Sequence, residues 1–523
     1  MSTSFNIRLL SSTARQRFSR STSSLKLSSG FRLNKHSRTY ASEADSYDLK
    51  PTCFGQPLFP SHPHLVRPGE TTPGIPQEEY HRRRRALMDR LPEDSMVVSV
   101  SAPVKYMSGQ IFYKYRQASD FWYLTGFEEP DSAVTIVKDA SSARGYRMTL
   151  FSSGKDSAKE KWEGARTSFD DVVSYFHADD AQPITSFASS LRDLVSSQSN
   201  VYVDIPTSNR RSRGLSHKSL LKYLSPSSTT EQETVLDSIS SSKRKALAPE
   251  VAKLRVCKSR AEQGIMRTAA DISGRAHAKT MCFTQPGMSE HALASHFEYL
   301  CAVGGAQRPA YVPVVASGPN ALIIHYTSNN QIIRDGEMIL IDAACEYNGY
   351  ASDITRTYPA NGKFNSAQAT LYQAVLNAQK YLITLCSESS RMSLSELHRE
   401  SCNALRKELN KIGFNLHGVA GAGDLERVLY PHYIGHPIGV DLHESAHSDR
   451  YESLKEGMVV TVEPGIYVPP SAAFPTAFHN MGIRIEDEVL IGKNGPTVLT
   501  VSAPKEIADV EGACQGLLGF TPF

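Results

Sequence analysis

Four acidic residues and one histidine stand out in the second half of this chain, and four of the five lie within or directly after an apolar segment. The acids are Asp342, Asp353, Glu463 and Glu486, and the histidine is His436. A carboxylate in such a position points into the core or into a pocket between elements. Burying its charge without a partner is costly, so any fold that this chain adopts must supply positive charge at these positions.

Protein cations close to these acids in sequence are few, namely Arg356 and Arg484. Four converging carboxylates would repel one another, and metal ions remove that repulsion. Oxygen-rich ligation with one imidazole suits Mn²⁺, Zn²⁺, Co²⁺ or Fe²⁺. Such a donor set fits two metal ions about 3.5–4 Å apart that share carboxylates. The alternative is that each residue is a separate ion pair or a charge at a strand end.

The five residues lie in short motifs. In chain order these are IDAA at Asp342, SDITR at Asp353, GHPIGVDLH at His436, EPGIY at Glu463 and GIRIED at Glu486. This series resembles the pita-bread metallopeptidases, which include methionine aminopeptidases, prolidases and aminopeptidase P. Five motifs in order make separate ion pairs a poor explanation.

The resemblance implies a role for each of the five residues. Asp342 would bind one metal through both oxygens, and Asp353 would bridge the pair. His436 and Glu463 would hold the other metal, and Glu486 would bridge. Glu463 is also the expected general base, which collects the proton of the attacking water and passes it to the leaving nitrogen. The resemblance thus implies two divalent ions per chain, with Mn²⁺ as the expected ion.

Five further residues match family positions around the metals. His325 and His443 are expected to contact the scissile carbonyl or the residue after it, and His432 to line the pocket. Tyr467 is expected to bind substrate, and Arg484 to act in catalysis or only to offset the carboxylate charge. Each histidine could instead be a core histidine with its hydrogen bonds satisfied.

Strand-like and helix-like runs alternate between about 76 and 225. Met96–Ser101 and Ala133–Lys138 are rich in β-forming residues, and Gln77–Leu91 is helix-like with Pro76 just ahead of it. This alternation predicts an α/β domain.

Two segments of this region, DFWYLTGF at 120–127 and KDSAKEKWEGAR at 155–166, resemble the N-terminal domain of aminopeptidase P, which methionine aminopeptidases lack. We therefore expect an α/β (α+β) fold. A creatinase-like N-terminal α/β domain would span 76–225, a linker 226–247, and a pita-bread catalytic domain 248–510.

The N-terminus carries the basic excess of the chain. Residues 1–42 hold eight of the 57 Lys and Arg and no acid, which leaves 49 basic against 54 acidic residues, or −5, in the rest of a chain of net charge +3. A Ser-rich, acid-free start without a long apolar run is typical of a mitochondrial transit peptide, and a basic disordered tail is the alternative. We assign 1–45 to the transit peptide and 46–75 to a Pro-rich extended arm.

Nucleic acid is not an expected partner, and no transmembrane segment is expected. The body is slightly acidic, and the run Arg82–Arg85 is expected on the solvated face of a helix. No segment approaches the roughly 18 apolar residues of a transmembrane helix. The expected partners are peptide or protein N-termini as substrates, and the resemblance implies a possible homodimer through the N-terminal domain.

Within the family, the start Gly55-Gln-Pro, with His64-Leu and Thr72–Ile75, is similar to the mitochondrial, intermediate-cleaving branch. That branch removes one bulky residue (Tyr, Leu or Phe) from proteins after presequence cleavage, so we expect a mitochondrial, matrix enzyme. Two alternatives remain open. One is a general Xaa-Pro aminopeptidase, which would use the fixed ring of proline to select substrates. The other is a non-catalytic binding module with the same fold.

The sequence Arg38-Thr39-Tyr40-Ala41 resembles a presequence cleavage site. Cleavage after Thr39 would expose Tyr40, and removal of that single residue would leave Ala41. We therefore predict that the protein trims its own N-terminus to Ala41.

A competing motif, HESAH at His443–His447, matches the H-E-x-x-H zinc motif. That motif requires a stable helix with both histidines on one face. Asp441, Ser445, Ser448 and Asp449 are poor helix formers, and no apolar stripe accompanies them. We therefore disfavour this interpretation, and the resemblance assigns no role to the motif's glutamate or its second histidine.

Overall fold

The computed structural model describes residues 53–204, 239–240, 242–417, 424–444, 449–519 and 522. The predicted transit peptide at 1–45, the predicted Ala41 terminus and most of the predicted linker lie outside these residues. The described residues belong to one compact unit, Tyr47–Phe523. The boundaries assigned from sequence therefore remain predictions.

The first half of the described chain folds around a six-stranded mixed sheet. Its strands, in sheet order, are β10 (Arg244–Ala246), β9 (Asn200–Val203), β3 (Ser95–Val100), β6 (Ala133–Lys138), β7 (Tyr146–Ser152) and β8 (Asp180–Pro183). The central strands β3, β6 and β7 pair antiparallel, and the pairs β10–β9, β9–β3 and β7–β8 are parallel. β3 is buried on both faces, which explains its run of apolar and small residues.

Helices and two small hairpins complete this half. The helices are α1 (Gln77–Arg90), α2 (Ser119–Thr125), α3 (Ser157–Glu163), α4 (Phe169–Phe176) and α5 (Phe187–Ser197). The hairpins are β1 (Glu70–Thr72) with β2 (Ile75–Pro76), and β4 (Tyr106–Ser108) with β5 (Ile111–Phe112).

The second half contains small antiparallel sheets and long helices. The helices are α6 (Ala248–Arg255), α7 (Arg260–Phe283), α8 (Glu290–Val303), α9 (Ser366–Thr384), α10 (Leu394–Asn410) and α11 (Ile507–Cys514). The strands are β11 (Arg308–Pro309), β12 (Val314–Ser317), β13 (Met338–Asp342), β14 (Cys345–Tyr347), β15 (Tyr350–Ala351), β16 (Thr355–Pro359), β17 (Val459–Val462), β18 (Gly465–Val468), β19 (Met481–Arg484), β20 (Asp487–Ile491) and β21 (Pro496–Val498). They form the sheets β12–β13–β16, β17–β20–β21, β11–β14–β15 and β18–β19.

The longest helix of this half, α7, begins at a reciprocal cap. The Ser259 hydroxyl accepts from the Glu262 amide, and the Glu262 carboxylate accepts from the Ser259 amide at 2.8 Å. Its buried face packs on α8, α11 and β14. Within the described part of the chain, no helix is long and apolar enough to cross a bilayer.

The described part of the Pro-rich segment is folded rather than extended. The His62 amide donates to the Leu58 carbonyl, the Val66 amide donates to the His62 carbonyl, and β1 pairs with β2. Leu58 and Val66 are buried, which holds the segment on the domain. The last residues of the predicted linker also belong to the domain, because β10 is an edge strand of its sheet.

The solvated face predicted for Arg82–Arg85 is wrong for two of its four residues. Arg83 and Arg84 are 4% and 0% exposed. Arg83 donates to the Tyr350 hydroxyl at 3.1 Å, and Arg84 donates to the Leu124 carbonyl at 2.9 Å. Both guanidinium groups enter the interior because oxygen acceptors there replace water. The two middle residues of the run are therefore not available on the surface to bind nucleic acid.

Candidate active site

Strand ends bring three of the predicted acids together. Asp342 ends β13 and pairs with Thr355, the first residue of β16. Asp353 lies two residues before that strand, and Glu486 lies between β19 and β20. The Glu486 amide donates to the Thr355 carbonyl at 3.1 Å, which joins the two β segments at this point.

The other two predicted ligands arrive on β17 and the loop beside it. Glu463 directly follows β17, and its amide donates to the Ile434 carbonyl at 2.8 Å. The Thr461 amide donates to the His436 carbonyl at 2.9 Å, which holds the histidine loop along the strand.

All five predicted residues converge on one centre. Ligand atoms of Asp342, Asp353 and Glu486 lie within 4.8 Å of one another, and so do those of His436, Glu463 and Glu486. The two groups share Glu486. The Nε2 atom of His436 also lies 3.3 Å from a carboxylate oxygen of Asp353.

Neighbouring groups fix the orientation of these side chains. The Thr355 hydroxyl donates to Glu486 at 2.6 Å, and the Asp353 amide donates to Glu488 at 2.9 Å. The His436 Nδ1 atom lies 3.2 Å from the Pro437 carbonyl. A proton on Nδ1 would serve that carbonyl and leave Nε2 facing the acids, an arrangement common around metal ligands.

The centre carries more negative charge than its protein cations offset. Burial first, and then repulsion among the acids, raises the pKa of Asp342 and Glu486, and raises that of Glu463 to about 7. Burial alone would lower the pKa of His436, but the neighbouring Asp353 carboxylate raises it to about 9. Among the described residues, Arg484 is the only arginine whose guanidinium bonds to a carboxylate oxygen of a predicted ligand, at 2.6 Å from Asp342.

The donor set therefore fits divalent metal ions. Four carboxylates and one imidazole nitrogen are hard and borderline donors of the kind that Mn²⁺, Zn²⁺, Co²⁺ or Fe²⁺ binds. Positive charge among them would relieve the repulsion that raises the acids' pKa values.

Three other predicted residues form a hydrogen-bonded chain beside this centre. Arg484 donates to the Tyr467 hydroxyl at 2.7 Å, and that hydroxyl lies 3.0 Å from Nε2 of His432. The Nδ1 atom of His432 lies 2.8 Å from the Tyr433 carbonyl, so Nδ1 is the protonated nitrogen and Nε2 accepts from Tyr467. Burial, aided by the charge of Arg484, lowers the pKa of His432 to about 3 and keeps the ring neutral.

The remaining two predicted histidines are exposed at the edge of the centre. The ring of His443 lies 3.9 Å from that of His436, centroid to centroid. His325 follows the short helical turn Gly318–Leu322. Burial and then the His436 charge lower the pKa of His443, and His325 adds to this effect, so His325 lies near the same opening.

Two residues that contact the predicted ligands were not predicted from sequence. The Tyr311 hydroxyl lies within hydrogen-bonding distance of Asp342 and, at 2.7 Å, of Asp353. Glu488 is fully buried and accepts the Asp353 amide. The sequence did contain a signal for Glu488. It lies two residues after Glu486, and side chains at that spacing share one face of a strand. Tyr311 lies outside any acidic or histidine motif.

The glutamate of the HESAH motif has a structural partner instead of a metal-binding position. Glu444 pairs with Arg255 and with Lys258, both at 2.8 Å, and accepts the Val440 amide at 3.0 Å. The described part of the motif is not in an α-helix, and His447 lies outside the described residues. The described residues thus give no support to the zinc-helix interpretation.

Comparison with known families matches both halves of the chain. The model of metallopeptidase family M24 matches residues 264–493, and that of the aminopeptidase P N-terminal domain matches 80–202.

Individual relatives match over most of their length. Intermediate cleaving peptidase 55 of Saccharomyces cerevisiae is 40% identical over 463 residues, which are 88% of each chain. Xaa-Pro aminopeptidase 3 of Rattus norvegicus is 36% identical over 473 residues, 88% of this chain and 90% of the relative. The mitochondrial intermediate cleaving peptidase 55 of Arabidopsis thaliana is 38% identical over 477 residues, 91% and 90% of the two chains.

A solved structure shows the same architecture. The crystal structure of Icp55 from Saccharomyces cerevisiae, with an N-terminal deletion of 58 residues, superposes with a TM-score of 0.75 at 37% identity. The match covers 86% of this chain and 100% of that one. The likeness therefore extends over the N-terminal domain, the acidic centre and the elements that join them.

Proposed function

The chain belongs to the aminopeptidase P family of M24 metallopeptidases, and from this premise we propose that it removes a single bulky N-terminal residue from mitochondrial proteins after presequence cleavage. The residues proposed for removal are Tyr, Leu and Phe. The observation that carries the proposal is the convergence of all five ligand residues in a chain 40% identical to an intermediate cleaving peptidase.

Family membership confirms the coarser predictions. The chain is a metallo-aminopeptidase, a hydrolase that acts on peptide N-termini with divalent metal in its active site. Its fold combines a creatinase-like N-terminal α/β domain with a pita-bread catalytic domain. The alternative of a non-catalytic binding module loses its basis, because such a module has no need of five intact ligand residues.

We propose two metal ions per chain, with Mn²⁺ as the ion used. The residues that would hold the ions form two groups, Asp342, Asp353 and Glu486 in one and His436, Glu463 and Glu486 in the other, with Glu486 common to both. When bound, such a pair supplies a water that is acidic enough to lose its proton near neutral pH and polarises the scissile carbonyl.

Glu463 is the proposed general base. Its carboxylate lies 3.9 Å from His436 and 3.8 Å from His432, at the side of the centre where these histidines meet. From this position it would take the proton of the attacking water and deliver it to the leaving nitrogen.

The histidines and Arg484 would act on the substrate side. His325 and His443 are exposed at the opening, where their N–H groups would donate to the oxygen of the scissile carbonyl as its charge grows. Burial and the charge of Arg484 keep His432 neutral, and the Tyr467 hydroxyl orients its ring, so it would contact substrate as a positioned, uncharged ring. Arg484 would orient Tyr467 and offset part of the charge of Asp342.

The experiment that tests this function compares the N-termini of mitochondrial proteins in cells with and without the enzyme. We expect proteins in the deficient cells to keep one extra Tyr, Leu or Phe. Re-expression of the parent should remove that residue, and re-expression of Asp353→Ala should not. Retained Xaa-Pro ends alone would contradict the proposal and support the general Xaa-Pro aminopeptidase, which the 36% identity to Xaa-Pro aminopeptidase 3 favours as second candidate.

We also propose that the enzyme resides in the matrix and trims itself. Its relative in Arabidopsis thaliana is mitochondrial, and residues 1–45 have the composition of a transit peptide. Mass spectrometry of the mature protein should find Ala41 first in active cells. A mature chain that begins at Tyr40 in those cells would contradict self-trimming.

A homodimer through the N-terminal domain is a further proposal. The β4–β5 hairpin exposes large apolar side chains, among them Met107, Ile111 and Phe112 at 56% to 62%. Light scattering should give twice the chain mass for the parent and a single chain mass for Ile111→Ser with Phe112→Ser. A parent that elutes as a monomer would refute this association.

A further inference from the structure

Glu290 is a buried acid outside the metal centre that five hydrogen-bond donors surround. It is the first residue of α8 and is fully buried. One carboxylate oxygen accepts from the Ser317 amide at 2.9 Å, the Ser317 hydroxyl at 2.8 Å and the Asn320 side chain at 2.9 Å. The other accepts from the Tyr326 hydroxyl at 2.9 Å and the Gln331 amide at 3.0 Å. Both oxygens of an ionised carboxylate accept hydrogen bonds, whereas a carboxamide has a single accepting oxygen.

The five donors belong to one loop, residues 317–331, and His325 lies within it. Ser317 and Asn320 begin the loop, Gln331 ends it, and Tyr326 is the residue directly after His325. The Glu290 amide also donates to the Gln331 carbonyl at 2.9 Å, so the closing end of the loop is held through side chain and backbone. A single carboxylate thus ties both ends and the middle of the loop to the start of α8.

The loop also packs on the strands that carry other site residues. Tyr326 and Ala321 share a buried cluster with Tyr467. A Cβ atom on Gly482, in β19, would lie 2.3 Å from the Ala321 carbonyl oxygen, which shows how closely the loop approaches the strand that ends at Arg484. Among the described residues no hydrogen bond holds the imidazole of His325 itself, so its position depends on the loop backbone.

We infer that Glu290 is a positioning residue that holds His325 at the mouth of the active site by clamping the loop 317–331. The inference rests on the substrate-contacting role proposed above for His325. It assigns to α8, which contributes no metal ligand, a part in placing a hydrogen-bond donor against the scissile carbonyl. Small displacements of such a group reduce the rate strongly, so the clamp would act on turnover.

The first test measures the clamp without reference to catalysis. Amide hydrogen exchange of peptides that cover 317–331 should be faster in Glu290→Gln than in the parent, because at least two of the five donors lose their acceptor. Glu396→Gln is the matched control, since Glu396 also accepts a backbone amide at a helix start but does not touch this loop. Unchanged exchange of the loop in Glu290→Gln would overturn the inference.

The second test is a double-mutant cycle on turnover of a Tyr-Ala peptide. His325→Ala removes a donor to the scissile carbonyl and should lower kcat by about 100-fold. Glu290→Gln leaves this donor in place but displaces it, and should lower kcat by about tenfold with little change in KM. If Glu290 acts through His325, the double variant should be no slower than His325→Ala alone. Fully additive losses would show a merely structural role and overturn the clamp.

The two proposals fail in different ways. Full activity of His325→Ala would contradict the proposed role of His325 in catalysis, and with it the proposed effect of Glu290 on turnover.

If Glu290→Gln does not fold, Tyr326→Phe replaces it, because this variant removes one donor and keeps the buried ring. It should show faster exchange at 323–328 and a fall of about threefold in kcat that disappears in the His325→Ala background. No change in either quantity would overturn the inference.

Discussion

Arg484 joins the acidic centre to the aromatic side of the active site. It donates to Asp342 at 2.6 Å, to the Tyr467 hydroxyl at 2.7 Å and to the Thr355 hydroxyl at 2.9 Å, and it is 2% exposed. The guanidinium group can therefore offset carboxylate charge and take part in catalysis at once. One of its nitrogens bonds to Asp342, and another orients the Tyr467 hydroxyl.

The chain from Arg484 to His432 predicts the behaviour of Tyr467→Phe. The variant loses the donor to His432 and the acceptor for Arg484 but no ligand atom. A lost buried hydrogen bond costs about 1.5 kcal/mol, so we expect a fall of about tenfold in kcat. Metal content by elemental analysis should equal that of the parent. Tyr372→Phe, which loses a buried hydroxyl bonded to the Lys505 carbonyl, is the control and should keep full activity.

His277 predicts a pH dependence of stability. Burial first, and then the Arg356 charge, lowers its pKa to about 3, and its Nε2 atom lies 2.9 Å from the Ala343 carbonyl. The unfolded chain protonates this ring below about pH 6.5 while the folded chain does not, so stability is lost as pH falls from 6.5 towards 3. The loss approaches about 1.4 kcal/mol per pH unit.

The measurement is the melting temperature of the parent and of His277→Gln, which keeps a donor for the carbonyl but cannot titrate. The advantage of the parent at pH 7.5 should shrink steadily between pH 6.5 and 5. A difference that stays constant over this interval would show that His277 does not titrate between the folded and unfolded states.

Residues with a chemical signature were those that the sequence could identify. Each of the five acids and imidazoles of the centre stands in a motif, and the structure brings all five together. Tyr311 could not be identified, because its contacts with Asp342 and Asp353 join residues 31 and 42 positions apart in the chain. Glu290 carries no motif either, and its five donors lie up to 41 residues away.

At the scale of elements, the antiparallel pairings determine where the proposed ligands meet. β13 pairs with β16 and β17 pairs with β20, and each pair places an acid at or just beyond its end. The loop that carries His436 lies directly on β17. At Gly435 an added Cβ would lie 2.0 Å from the Thr461 carbonyl oxygen, so this close approach requires glycine.

We therefore expect Gly435→Ala to push the histidine loop off β17. Overpacking of this kind costs about 1–3 kcal/mol, and the displaced His436 should weaken metal retention as well. Thermal melting and metal content should both fall. Gly495→Ala is the matched control, because nothing lies within 4 Å of its added Cβ, and it should leave both unchanged. A Gly435→Ala protein with the parent's melting temperature and metal content would refute this packing argument.

Local pattern identified regular elements well and irregular ones poorly. The strand predicted at Ala133–Lys138 has those bounds, and the predicted Gln77–Leu91 helix ends one residue earlier, at Arg90. The Pro-rich segment was expected to be extended, because proline favours that conformation. Its turns are stabilised by burial of Leu58 and Val66 against distant residues, which composition does not reveal.

At the scale of the molecule, an ionic cluster connects the two halves. Arg255, at the end of α6, donates to Asp120 of α2 at 2.8 Å and to Asp441 and Glu444 at 2.6 and 2.8 Å. Asp441 lies two residues before His443, and Glu444 directly follows it. The cluster therefore also supports the loop on the substrate side of the site. Such pairs join residues 135 to 189 positions apart, and a sequence pattern does not predict them.

Arg255→Met should uncouple the halves. Removing one partner of a buried pair leaves uncompensated charge and costs about 3–5 kcal/mol. Calorimetry should show a lower melting temperature, with the single transition of the parent split in two. Lys253→Met, which breaks a solvent-exposed pair with Glu250, should melt like the parent. Equal melting of Arg255→Met and Lys253→Met would contradict the importance of this cluster.

The most direct test of the proposed function uses the purified protein, loaded with Mn²⁺, and two peptides that begin Tyr-Ala and Tyr-Pro. Mass spectrometry should show loss of one Tyr from the Tyr-Ala peptide and no further shortening. Asp353→Ala should bind less metal and release no Tyr. Release of Tyr from the Tyr-Pro peptide but not from the Tyr-Ala peptide would contradict trimming of a bulky residue without a requirement for proline. Undiminished release of Tyr by Asp353→Ala would contradict the metal dependence.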